Sequence, residues 1–235
     1  MFGRKRPISD KRFAKLLAQL ADYEEPETAI EAAEVIESLD DRTRLPELYR
    51  ILKATDDFCV REAVGTAICR MDGLKAVPEL VAAMQLDSHD YDGLRTRIYI
   101  LIESDRAAAA PLLLERFRNA APELRPVWAN WLGYVAEVIE PEPLLQALRS
   151  EDRKLRAAAL SALVAFKGRP ELFAMFEHLA LHDPDEQTRR TSIAGLLYSD
   201  NPAATPTIEA ARHDPSAYVR DYAEYALEVL ARKGT

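Results

Sequence analysis

Asp152-Arg153-Lys154-Leu155-Arg156-Ala157-Ala158-Ala159-Leu160-Ser161-Ala162-Leu163 is one of six versions of a single phrase in this chain. In each version an arginine is followed at the third, sixth and seventh positions by small or apolar residues. They are Val64, Ala67 and Ile68 after Arg61, Ile98, Leu101 and Ile102 after Arg95, and Trp128, Trp131 and Leu132 after Arg125. Ala159, Ala162 and Leu163 follow Arg156, Ser192, Gly195 and Leu196 follow Arg189, and Ala223, Ala226 and Leu227 follow Arg220. Positions with that spacing share one side of a helix, so each phrase is an amphipathic helix. The arginines return every 30–34 residues. A helical period of that length predicts a solenoid, because one unit cannot cover its own apolar face and stacking buries a continuous core.

A second helix is marked in each period by a proline. Pro46, Pro78, Pro111, Pro143, Pro170 and Pro206 are expected at helix starts, where the missing N–H has no intrahelical partner to lose, with Pro141 the alternative start to the favoured Pro143. Leu48, Leu80, Leu172 and Ile208, two residues after their prolines, should point into the core. Stepping back from Pro46 places an opening helix through Ala29, Ala32, Val35 and Ile36, without the arginine, as befits a terminal repeat. Acids stand just before the arginines: Asp57, Asp92, Asp152 and Asp185. Each can accept first-turn N–H groups and oppose the positive end of the helix dipole. Arg61, Arg95, Arg125, Arg156, Arg189 and Arg220 are therefore read as a structural ladder that reaches acids of the same or neighbouring units.

The phrases Leu155–Leu163 and Asp214-Pro-Ser-Ala-Tyr-Val-Arg-Asp-Tyr-Ala-Glu-Tyr-Ala-Leu227 resemble HEAT-like repeats, in the short form named after phycobilisome lyases. The resemblance covers residues 26–233. It implies an all-α fold, a right-handed α-α superhelix of about six to seven helical hairpins. Residues 1–25 then form a basic segment and capping helix, and 26–235 the repeat array. Repeats of this kind serve as lyases, chaperones, adaptors and scaffolds, so the fold does not carry a mechanism with it.

Composition fits a single all-α domain: 235 residues, 48% hydrophobic, with Gly at only 8 positions. No apolar run approaches the roughly 18 residues of a membrane span, and the first residues lack the apolar stretch of a secretory signal. A cytoplasmic location is expected. Cys59 and Cys69, about 15 Å apart along one helix, are beyond disulfide reach and read as small core residues. Phe13, Leu16, Leu17 and Leu20 form an apolar stripe on a helix capped by Ser9 or Asp10, expected to cover the end of the array. Its basic side, with Arg4, Lys5, Arg6, Lys11, Arg12 and Lys15, offers a second reading as a membrane- or nucleic-acid-contacting helix. Residues 22–41 hold nine acids and no cation.

Enzyme signatures are missing: there is no phosphate-cradling glycine loop and no nucleophile elbow, and the chain reads as non-catalytic. His178 and His182 have metal-sharing spacing, with Asp183 or His213 as a third ligand, yet no Cys or Glu completes a recognisable motif, so neither a metal nor another cofactor is expected. A net charge of −8 and a pI near 5.2 oppose phosphate binding, and no nucleic-acid partner is expected. The second helices should present Glu47, Arg50, Glu79, Glu115, Arg118 and Glu171 on a concave face suited to another protein. Trp128 and Trp131, with Tyr134, stand where other units carry small or aliphatic residues. They read either as filling for an irregular junction or as an aromatic hot spot beside Leu112 and Leu144. The leading expectation is a non-catalytic protein-binding scaffold or adaptor. Two alternatives stay open: a bilin-lyase-like or cofactor-maturation subunit, for which the tryptophans would be the tetrapyrrole site, and an antagonist of a basic protein acting through residues 22–41. The sequence leaves the partner and the oligomeric state open.

Overall fold

The computed structural model describes residues 8–22, 24–85 and 93–233. The described residues form α-helices joined by short turns and 3-10 segments, without a strand. None of the helices is long and apolar enough to cross a membrane. The chain divides into two compact units, Met1–Asp105 and Arg106–Thr235.

The first unit contains α1 (Asp10–Leu20), α2 (Pro26–Glu37), α3 (Leu45–Ala54), α4 (Phe58–Asp72), α5 (Val77–Met84) and α6 (Gly93–Ser104). Helices α2, α4 and α6 pack side by side as one row, and α3 and α5 as a second. Ala32 and Ile36 of α2, Val64, Ala67 and Ile68 of α4, and Leu94, Ile98 and Ile102 of α6 are buried, as the periodicity predicts. Leu48 and Leu80 face them from the second row, also fully buried. Ser9 caps α1 by accepting the Arg12 N–H, and Phe13, Leu16 and Leu20 are buried where α1 packs on α2 and α4. The stripe is thus consumed by packing, which leaves α1 no apolar face for a membrane. Arg44 locks this cap: its guanidinium donates to the Ile8 carbonyl at 2.6 Å and the Asp10 carboxylate at 2.5 Å and lies 5.3 Å from the Phe13 ring centroid.

The second unit contains α7 (Arg106–Asn119), α8 (Arg125–Leu132), α9 (Glu142–Ala147), α10 (Arg153–Leu163), α11 (Pro170–His182), α12 (Glu186–Tyr198), α13 (Ala204–Ala211) and α14 (Ala217–Lys233). Here α8, α10, α12 and α14 form the first-helix row, and α11 packs beside α13 in the second. Both units are α-α repeats, as the sequence predicts. Second helices also pack on the next first helix, α11 on α12 and α3 on α4, across the short loops that carry the capping acids. Asp57, Asp152 and Asp185 each cap their helix, accepting N–H groups from Val60, Lys154 and Thr188 respectively. Asp92 lies outside the described residues.

Two expectations are corrected. Pro111 lies inside α7 rather than at its start, because the helix begins five residues earlier at Arg106. Its ring cannot donate to the Ala107 carbonyl, a bond the helix forgoes. Three of the repeated arginines, Arg125, Arg156 and Arg220, bind backbone carbonyls where acids were expected. Arg156 donates to the carbonyls of Ser150 at 2.7 Å and Glu151 at 2.8 Å, and Arg220 to those of Asp214 and Pro215 at 2.8 and 2.9 Å. Arg61 reaches the Thr55 carbonyl at 3.2 Å. These carbonyls lie in the loop before the arginine's own helix and have no intrahelical donor, so the arginine clamps that loop back onto the helix it leads into. Arg189 joins both roles, gripping the Asp183 and Pro184 carbonyls and, through two bonds of 2.6 and 2.8 Å, the Asp214 carboxylate of the following loop. Arg125 is exposed and makes one long bond of 3.3 Å to the Arg118 carbonyl, and Arg95 is also exposed.

Gly195 shows how closely the rows meet. It occupies a phase that carries Ala in α4, α10 and α14, and a methyl group there would come within 2.7 Å of the Phe176 ring. Gly195→Ala should cost about 1–3 kcal/mol, as expected of overpacking against a buried ring. A guanidinium-chloride midpoint at or above that of the wild type would show that the ring moves aside freely.

Candidate protein-binding surface

The candidate surface residues fall into both units. In the first, Glu47 of α3 pairs with Arg44 at 2.8 Å and Glu79 of α5 pairs with Lys53 at 2.7 Å, while Arg50 is exposed. These acids bridge neighbours, which uses part of the charge they offer to a partner. In the second, Glu115 and Arg118 of α7 and Glu171 of α11 are exposed.

Trp128 and Trp131 are not on a surface. They retain 6% and 4% of their exposure, with the Trp131 and Tyr134 rings 5.1 Å apart, because α8 turns its apolar phase inward onto α10 exactly as the smaller residues of other units do. Leu144 is fully buried as well, and Leu112 is half-buried. The aromatic hot spot, and with it the tetrapyrrole site placed there, loses its accessible rings. The rings fill an irregular junction instead. Helix α8 ends after eight residues in a 3-10 turn, Gly133–Val135, and α9 is only six residues long.

That shortness opens a groove of about 690 Å³ beside the fourteen-residue α7. Pro111, Leu114 and Phe117 of α7, Val138 and Ile139 of the connecting turn, and Pro143 of α9 form its apolar lining. Val138 is 48% exposed there. Arg118 and Arg125 also line it, and neither forms an ion pair among the described residues. Of its acids, Glu140 is bound to Arg169 at 3.0 Å. The groove therefore offers apolar area together with guanidinium groups that have no carboxylate partner. Its volume lies in the range of ligand-sized clefts.

A second cluster escaped the sequence reading. Arg190 stacks on Tyr218 and Tyr222, its guanidinium carbon 4.7 and 4.2 Å from their centroids, and Tyr222 lies 5.7 Å from Tyr225. Burial raises the Tyr222 pKa, so the phenol stays protonated. The signal was present: tyrosines at 218, 222 and 225 share one helical face.

The remaining candidates are quiet. Cys59 and Cys69 are free thiols, and burial pushes the Cys69 thiol up to about 12, far from a reactive thiolate. His178 and His182 are exposed neighbours with centroids 5.1 Å apart. Among the described residues no three His, Cys, Asp or Glu side chains are placed to hold a metal.

Residues 141–228 match the HEAT repeats family. No curated protein matches the chain. Among solved structures, the CpcE and CpcF complex of phycocyanin lyase from Nostoc sp. PCC7120 is similar at 16% identity and a TM-score of 0.44, over 97% of this chain and 90% of that one. An engineered protein is similar at 17% identity and a TM-score of 0.45, over 93% of this chain and 68% of that one. Residues 141–228 are HEAT-like repeats, and rows of paired helices with arginine-clamped loops give each unit the same α-α repeat architecture.

Proposed function

We propose that this protein is a non-catalytic scaffold that holds another protein on the second-helix side of its second unit. The observation that carries this reading is the groove beside α7, where exposed apolar area adjoins Arg118 and Arg125, guanidinium groups without carboxylate partners. Arginine beside apolar lining is the composition of energetically dominant interface positions. The complementary occupant is a segment with apolar side chains and a carboxylate, whose acid pairs with the arginines as its apolar groups cover Val138 and Leu114.

A peptide-display selection against the whole protein tests this. Enriched sequences should combine an acid with apolar anchors, and Arg118→Glu with Val138→Asp should weaken them by at least tenfold, a loss of about 1.4 kcal/mol. Arg50→Glu, in the first unit, should leave them unchanged. Binders that ignore the groove substitutions and depend on Tyr218 and Tyr225 would move the binding surface to the tyrosine cluster and overturn the reading.

A further inference from the structure

The α1–α2 pair carries opposite charges on its outer surface and leaves them unpaired. Helix α1 exposes Lys11, Arg12 and Lys15 with the small residues Ala14 and Ala18, and α2 exposes Glu27, Glu31 and Glu34 around Ile30. Ile30, at 61%, is the most exposed large apolar side chain among the described residues. None of the six charged side chains forms an ion pair or side-chain hydrogen bond among the described residues. Arg12, Lys15 and Glu31 line one cleft of about 290 Å³ between the two helices without closing to salt-bridge distance across it.

A surface with both signs side by side is complementary to itself. If one copy is turned about a two-fold axis, the basic face of its α1 meets the acidic face of α2 on the other, and the same contact repeats on the opposite side of the axis. Such an isologous contact closes at two subunits, the commonest symmetry of soluble oligomers. We propose that the protein forms a two-fold dimer through α1 and α2, with the Lys11, Arg12 and Lys15 face of each copy against the Glu27, Glu31 and Glu34 face of the other. Ile30 of one copy covers Ala14 and Ala18 of the other, and the small side chains let the helices approach closely. A partner of one sign only, acidic or basic, matches half of this surface and repels the other half, which favours a second copy as the occupant.

Sedimentation velocity on the full chain tests the assignment. The wild type should be a concentration-dependent dimer whose dissociation constant rises at least tenfold between low and high salt, since exposed pairs are screened. The all-acidic variant Lys11→Glu, Arg12→Glu, Lys15→Glu and the all-basic variant Glu27→Lys, Glu31→Lys, Glu34→Lys should each be monomeric. Mixed in equal amounts they should dimerise again, because both halves of the interface then join opposite charges. Circular dichroism checks that each variant stays helical. A wild type that is monomeric at every salt and concentration, a dimer that survives in either variant, or a mixture of folded variants that stays monomeric would overturn the proposal. The wild-type salt series decides by itself should a variant fail to fold.

Discussion

Trp131→Ala is expected to lower stability by about 3–5 kcal/mol, the range for removing a large buried aromatic side chain. The ring is 96% removed from solvent by the packing of α8 in its row, leaving 4% exposed, and it contacts Tyr134 at a centroid distance of 5.1 Å. Alanine leaves a cavity that the short α8 cannot close without shifting the 3-10 turn after it, where Gly133 already lies close enough to α10 that a Cβ would meet the Ala162 Cα at 3.3 Å. Trp128→Ala should behave alike, since Trp128 is 6% exposed. Chemical denaturation followed by circular dichroism measures the shift. A variant with the wild-type midpoint and reduced binding would restore the two tryptophans to a surface role and refute the packing described above.

Arg189→Ala should be the most damaging change in the arginine ladder, at about 3 kcal/mol, because it strands a carboxylate that is itself well buried. The side chains of Arg189 and Asp214 are 10% and 6% exposed, and the removed guanidinium also abandons the carbonyls that close α11. Arg156→Ala should cost less, about 1–2 kcal/mol, since its partners are neutral carbonyls in the loop between α9 and α10. The Arg189 guanidinium beside Asp214 holds that carboxyl below its usual range, and the Ser216 N–H adds to the effect. A depressed folded-state pKa contributes stability that is complete above the ordinary carboxylate pKa near about 4 and is lost as pH falls through the lower folded value. Asp214→Asn should therefore flatten part of the acid limb of the stability curve below about pH 4. Equal midpoints for the Arg189 and Arg156 variants would show that the bidentate pair adds nothing to the loop clamp.

The parts of this molecule legible from its residues are those set by local chemistry. An acid two or three residues before a first-turn N–H caps a helix wherever it occurs, so Asp57, Asp152 and Asp185 were readable, and so was Ser9. The 3.6-residue phase also located Ile68, Ile102, Leu132, Leu163 and Leu196 in the core without knowledge of what covers them. The same phase already put Trp128 and Trp131 inside. Their size suggested a surface anchor, but phase decides which side of a helix faces its neighbours, and the short α8 leaves room for large rings. The arginine partners were not legible, because whether a guanidinium meets a carboxylate or a carbonyl depends on how the preceding loop folds back over the helix start. At Arg189 the next loop also delivers an acid, Asp214, from 25 residues away. The groove beside α7 is likewise a tertiary product. It is lined jointly by the fourteen-residue α7, the turn around Val138 and Ile139 and the six-residue α9, segments that only the folded chain brings together.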